Sequence, residues 1–180
     1  MEDKIDNHFG EDDFGMELFK RDLTCALTHL VFCIAFFALG VWQMGLYNII
    51  SPMFFIVLSY GLWTNRFTNN NVIDNLNSAE FILHSILSVY FVGFDLGYQY
   101  ILFTLAIPIV VQANDKKFLR FNSLRTIISI GIYIFLYSLL HYNILRPLYS
   151  FSGGISLVST SLLIMTVFLM INSHIIANLR

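Results

Sequence analysis

The stretch LTCALTHLVFCIAFFALGVWQMGLYNIISPMFFIVLSYGLWTN, residues 23–65, contains no Asp, Glu, Lys or Arg. A helix needs roughly 20 predominantly apolar residues to cross the hydrocarbon core of a bilayer, so this run holds two crossings. A turn at Gly45, Leu46, Tyr47 and Asn48 is expected to divide them. Working outward, the same reading gives apolar spans near 79–94 and 97–113, a charge-free run over 126–145 and a last span over about 154–178. The expectation is an all-α, integral membrane six-helix bundle built as three hairpins. A β-barrel would require many alternating segments of about ten residues, and long unbroken apolar runs are the helical signature.

Composition agrees. With 57% hydrophobic and 12% charged residues and a mean hydropathy of +0.69, the chain is too apolar for an ordinary domain in water. The polar stretches 64–79 and 114–125 are too short to build a core of their own. Two regions are therefore expected: an acidic cytoplasmic arm over 1–22 and a six-helix membrane domain over 23–180.

The basic residues orient the bundle. Lys4, Lys20 and Arg21 precede the first span, and Arg66 follows the second. Lys116, Lys117, Arg120 and Arg125 are expected to connect the fourth span to the fifth, and Arg180 is the last residue given. Only Arg146 of the ten Lys and Arg residues falls at the opposite ends. Because positive charge stays on the cytoplasmic side, both termini are expected inside the cell, with the chain multi-pass in the cell membrane.

Glu2, Asp3, Asp6, Glu11, Asp12, Asp13, Glu17 and Asp22 make the arm acidic, unlike the basic start of a cleaved secretory signal. It is expected to be a partly disordered tail, with Phe14, Leu18 and Phe19 as the apolar edge of a short interfacial helix in the alternative reading. Cys25 and Cys33 form neither a redox pair nor a metal-ligand spacing and read as packing residues.

Polar residues inside a membrane are costly and usually face the protein interior. They fall into two expected layers. At the outer ends stand Trp42, Gln43, Asp95, Tyr98, Gln99, Tyr100, His141, Tyr142, Arg146 and Tyr149. Asp95 and Arg146 can pair there, leaving His141, Tyr98, Gln99 and Tyr100 to hydrogen-bond a small polar ligand arriving from outside. The plainer reading is an aromatic belt with an interfacial charge pair that positions helices. The inner layer holds His29, Glu80, His84, Asn172 and His174. Glu80 and His84 are one helical turn apart, which makes either a pH-responsive pair or an interhelical hydrogen-bond clamp. Nothing in the spacing gathers His29, His84 and His174, so no metal is expected.

In the last span Ser152, Ser156 and Thr160 recur on one face beside Gly153 and Gly154, allowing close approach by a neighbouring helix or by a second copy in a homodimer. The span runs to Arg180 without a Gly or Pro stop signal, which invites continuation into the cytoplasm. No G-x-S-x-G, H-E-x-x-H, Walker A or G-x-G-x-x-G signature is present. No catalysis by this chain alone, no cofactor and no nucleic-acid partner are expected.

The segment from Glu80 and His84 through Gly93, Asp95, Gly97, Tyr98, Gln99 and Tyr100 resembles the third and fourth helices of six-helix membrane modules at the amino terminus of bacterial diguanylate cyclases and class III adenylate cyclases. In those modules a helix-borne His precedes a Gly-x-Asp-x-Gly-aromatic hairpin, and His84, Gly93, Asp95, Gly97, Tyr98 and Tyr100 occupy the matching positions. The cyclase domain with its metal-binding aspartates has no counterpart in these residues, so activity does not carry over. The resemblance implies a sensory or anchoring module that passes a signal through its last helix to a cytoplasmic effector. Independently of it, Gly93 and Gly97 suit a tight turn that places Asp95 at the outer tip.

Two other classes stay open. Substrate-binding components of vitamin-uptake transporters are also small six-helix proteins with inside termini. Their Ala-x-x-x-Ala surface fails here, because Ala26 and Ala35 are followed four positions later by Leu30 and Leu39. A structural or regulatory membrane subunit would have the same layout without ligand dependence.

Overall fold

The computed structural model describes the backbone of residues 6–64, 66–67, 69–104 and 116–151. The later part of the expected 97–113 span and the last apolar run, with Ser152, Ser156, Thr160, Asn172 and His174, lie outside the described residues. Every regular element among the described residues is helical: α1 (Asp6–Ala38), α2 (Trp42–Trp63), α3 (Asn70–Val92), a 3-10 turn (Tyr98–Tyr100), α4 (Ile101–Thr104) and α5 (Lys116–His141).

Among the described residues, three segments are long and apolar enough to cross a membrane: Phe19–Ala38 within α1, Trp42–Trp63, and Ser123–His141 within α5. Their outward faces are apolar. On α1, Leu27, Val31 and Ile34 recur at helical spacing, and Ile34 is 72% exposed. Polar groups sit inside instead, with Asp22, His29, Asn48, Ser51 and Ser59 all buried. Apolar outside and polar inside is the distribution of a protein whose solvent is lipid. The chain is an all-helical membrane protein.

Two compact units divide the chain, residues 1–77 and 78–179, with the boundary inside α3. In the first, α1 packs along α2 around Cys25, Ala26, Phe32, Phe36, Met44 and Phe55. Lipid tails are as apolar as these side chains, so close packing and buried hydrogen bonds hold the pair rather than exclusion of water.

The turn between α1 and α2 is not at residues 45–48 as expected but at Gly40. Gly40 has φ +76°, its N–H donates to Phe37 O at 3.1 Å, and Val41 N–H reaches Phe36 O at 2.9 Å. This pair of bonds caps the last carbonyls of α1, and a left-handed residue is needed to make it. Gly45 serves packing instead: a Cβ there would come within 2.9 Å of the Phe37 ring.

The arm also differs from the expected partly disordered tail and takes the helical form of the alternative reading. Residues 6–22 are helical and continue without a break into the apolar part of α1. Likewise, Lys116, Lys117, Arg120 and Arg125 do not form a connecting loop but belong to α5 itself. Helix length is not capped by bilayer thickness, so a charged end can extend past the hydrocarbon as regular helix.

α3 begins earlier than its apolar residues suggest. Asn69 accepts from Val72 N–H through its side chain at 3.3 Å, an N-cap bond that starts the helix in polar sequence. Its buried face carries Asn77, Glu80, His84, Ser85 and Ser88. That face makes α3 less apolar than its neighbours.

Candidate functional site

Within the second unit, α3 ends at Val92 and the chain reverses over residues 93–97. Gly93 (φ +65°) and Gly97 (φ +78°) both adopt the left-handed conformation, as the tight-turn reading required. Gly93 is further constrained by space, since a Cβ would lie 2.7 Å from Pro147 Cγ. The segment after α5 folds back over this turn. Asn143 at φ 56° supplies the left-handed cap of α5, with Ile144 N–H bonded to Leu139 O at 2.9 Å. Tyr149 N–H then donates to Phe91 O at 2.9 Å, and Phe151 N–H donates to Asp95 Oδ2 at 3.2 Å.

The expected pairing of Asp95 with Arg146 is therefore corrected. Asp95 grips the backbone of the segment that carries Arg146, through the N–H of Phe151. Arg146 and His141 stand exposed, as does Tyr100. A backbone N–H competes well for a carboxylate because it is fixed by its neighbours, whereas a long guanidinium side chain loses rotamer freedom on pairing.

An aromatic column ties the turn to α5. Phe94 stacks on Tyr133 with centroids 5.5 Å apart and tilts over Tyr137 at 5.9 Å. Tyr137 lies parallel to His141 at 5.9 Å, one helical turn further on. Tyr133, Tyr137 and His141 recur every four residues, so one face of α5 presents all three rings.

The two expected layers do not stay separate. Tyr98 and Gln99 turn inward and are buried, and the Tyr98 ring meets the His84 ring edge-on at 6.0 Å. The 3-10 turn after Gly97 directs the chain back beside α3, so an outer residue reaches an inner one. Gln99 Nε2 donates to Phe94 O at 3.5 Å, which helps close the reversal. Glu80 and His84 are both buried on α3, together with Ser85 and Ser88, which the sequence reading passed over. Their spacing, with polar residues at 77, 80, 84 and 88, was the available signal.

His29 belongs to the first unit. Its Nδ1 donates to Cys25 O at 2.8 Å, and its ring packs at 5.3 Å from Phe55 and 6.5 Å from Phe32. Its surroundings are those of a packed core residue. No group of three or more metal-ligating side chains exists among the described residues. Trp42 also lies in this unit, exposed at the start of α2.

A second polar cluster, which the sequence reading did not assemble, joins α1 to α3 in the first unit. Arg21 Nη1 donates to Asp74 Oδ1 at 2.6 Å, and Asn77 Nδ2 donates to Asp22 Oδ1 at 2.7 Å. Arg21 Nε lies 3.6 Å from Asp22 Oδ1, too far for a hydrogen bond. Asp22 is 0% and Asn77 1% exposed. Beside the cluster, Phe19 and Phe54 pack on Leu58, Leu62 and Ile73, closing that end with apolar side chains.

No family model, curated protein or solved structure matches the chain.

Proposed function

We propose that the chain is a membrane-embedded sensory or anchoring module. It crosses the cell membrane six times with both termini in the cytoplasm, receives a small polar ligand at its outer tip, and transmits the event through the last apolar run to a cytoplasmic effector domain or partner protein. A second copy of the chain is a partner of the same kind, packing through the small-residue face at Ser152, Ser156 and Thr160. The chain itself catalyses nothing in this reading.

The observation that supports it is the grip of Asp95 on Phe151 N–H. Residue 151 immediately precedes the last apolar run, so whatever competes for the exposed Asp95 carboxylate acts on the entry to that run. A ligand shifts an equilibrium only by binding one arrangement better than the other. Asp95 bound to Phe151 and Asp95 bound to ligand are two such arrangements. Exposed Arg146, His141 and Tyr100 supply donors near the same turn.

The test fuses a cyclase reporter after Arg180 and compares output for the wild-type chain with Asp95→Asn and His141→Ala across a panel of small polar ligands. Ligand-dependent output that Asp95→Asn alters, with insertion unchanged, supports the reading. Output indifferent to every ligand and to both variants leaves anchoring as the function, and copurification of the chain with an energy-coupling ATPase moves it to uptake. Orientation is tested separately, by protease added outside sealed cells: cleavage between Lys116 and Arg125 would reverse the proposed topology.

A further inference from the structure

We propose that Asp22 is a proton-binding site, and that its acid form is the state in which Asn77 joins α1 to α3. This stands apart from the outer tip, because every atom involved lies in the first unit.

Beside the Arg21 donors Nε and Nη2, which also lack an acceptor, the cluster leaves two acceptors buried without a donor, Asp22 Oδ2 and Asn77 Oδ1. Both belong to the same hydrogen-bonded pair. An ionised carboxylate and an amide can share only one hydrogen bond, because the carboxylate has nothing to donate. A carboxylic acid and a primary amide can share two, each group donating once and accepting once. With Asn77 Nδ2 already on Asp22 Oδ1 at 2.7 Å, a proton on Asp22 Oδ2 gives Asn77 Oδ1 its missing donor. One proton therefore satisfies two buried atoms at once. Unmade hydrogen bonds at buried polar atoms are among the costlier defects a fold can carry.

Charge balance points the same way. Arg21 is committed to Asp74 through the 2.6 Å bond, while its Nε stays 3.6 Å from Asp22. With Asp22 ionised, two anions share one cation in a partly buried site whose Asp22 end is fully enclosed; with Asp22 protonated, the three groups are neutral together. Burial favours the neutral assembly. The groups facing Asp22 from its own helix are Arg21 and, one turn on, Cys25, and from α3 they are Asp74 and Asn77. α2, which packs against α1, contains no Asp, Glu, Lys, Arg or His to alter this balance. Glu80, one turn beyond Asn77 on α3, is the next carboxyl along that helix.

The direction of the response follows. Acid keeps the double hydrogen bond and the α1–α3 joint. Raising the pH through the titration of Asp22 removes the proton, breaks one of the two bonds and sets a second negative charge near that of Asp74. The end of α1 that carries the acidic arm thus reads the proton activity of the compartment it faces.

The test is infrared titration of the full chain in lipid nanodiscs, with thermal unfolding measured at each pH. The wild-type chain should show the carbonyl stretch of a protonated carboxyl that fades as pH rises, together with a falling Tm. Asp22→Asn should lose that band at every pH and keep its Tm across the range, because an amide reproduces the donor and acceptor of the acid. Asp74→Asn frees Arg21 for Asp22 and should move the loss of the band to lower pH. If Asp22→Asn impairs insertion, Asn77→Leu serves instead, shifting the band toward that of an acid with no amide partner. Infrared spectra of wild-type and Asp22→Asn that superimpose at all pH values would overturn the proposal. So would an Asn77→Leu band that does not move, or a Tm that follows sodium concentration at fixed pH and ignores acid.

Discussion

Asp95 Oδ2 accepts a hydrogen bond from the backbone N–H of Phe151 at 3.2 Å, across a sequence separation of 56 residues. This contact fastens the chain entering the last apolar run to the turn that closes α3. A charge-assisted bond at an exposed position contributes about 1 kcal/mol. Asp95→Ala should therefore leave global unfolding nearly unchanged while speeding amide exchange at Phe151. Asp95→Asn, which keeps a carbonyl oxygen, should have the smaller effect. Hydrogen exchange read by mass spectrometry over residues 143–151 makes the comparison.

Gly93 and Gly40 separate two reasons for a glycine. Both have positive φ, but nothing lies within 4 Å of a Cβ on Gly40, whereas Pro147 Cγ would be 2.7 Å from one on Gly93. Gly40→Ala should cost about 1 kcal/mol, the backbone penalty alone. Gly93→Ala should cost more, and Pro147→Ala should recover the excess at residue 93 without helping residue 40. Thermal unfolding of the four variants in one detergent tests this.

Arg21 neutralises Asp74 at 2.6 Å in a partly buried setting. Removing one partner from such a partly buried pair costs about 2 kcal/mol, between the values for exposed and for fully buried pairs. Arg21→Met should destabilise strongly, Asp74→Asn less, and the double variant should be more stable than Arg21→Met alone. A double-mutant cycle that returns simple additivity would mean the pair does not act as a unit.

Phe94 bridges Tyr133 and Tyr137. Aromatic pairs of this geometry contribute about 1 kcal/mol beyond burial. Phe94→Leu and Tyr133→Leu should each destabilise the chain, with a coupling energy of that size in a double-mutant cycle. The same cycle between Phe94 and Tyr142, a ring in contact with His141 rather than with Phe94, should show none.

What could be read in advance follows the range of the interaction. The membrane class rests on local runs of apolar residues, and three of those runs are helices of spanning length. The Gly93 and Gly97 reversal was legible because left-handed backbone selects glycine directly. The first turn was misplaced because Gly40 and Gly45 look alike in sequence, and only the Phe37 ring over Gly45 tells packing from turning. Asp22, Asp74 and Arg21 were visible as charges, but the Arg21–Asp74 and Asp22–Asn77 bonds span 53 and 55 residues, and composition carries no information about such distances. Asp95 was expected to pair with Arg146, whereas it accepts from a backbone amide, which leaves no mark in the sequence.

Between α1 and α2 the non-helical connection is only Leu39–Val41. His29 on one helix and Asn48, Ser51 and Ser59 on the other are hidden once the two lie side by side. Either helix released alone into lipid during synthesis would present those groups to hydrocarbon. A link this short holds the two helices side by side, and their packing turns the polar seam away from the acyl chains.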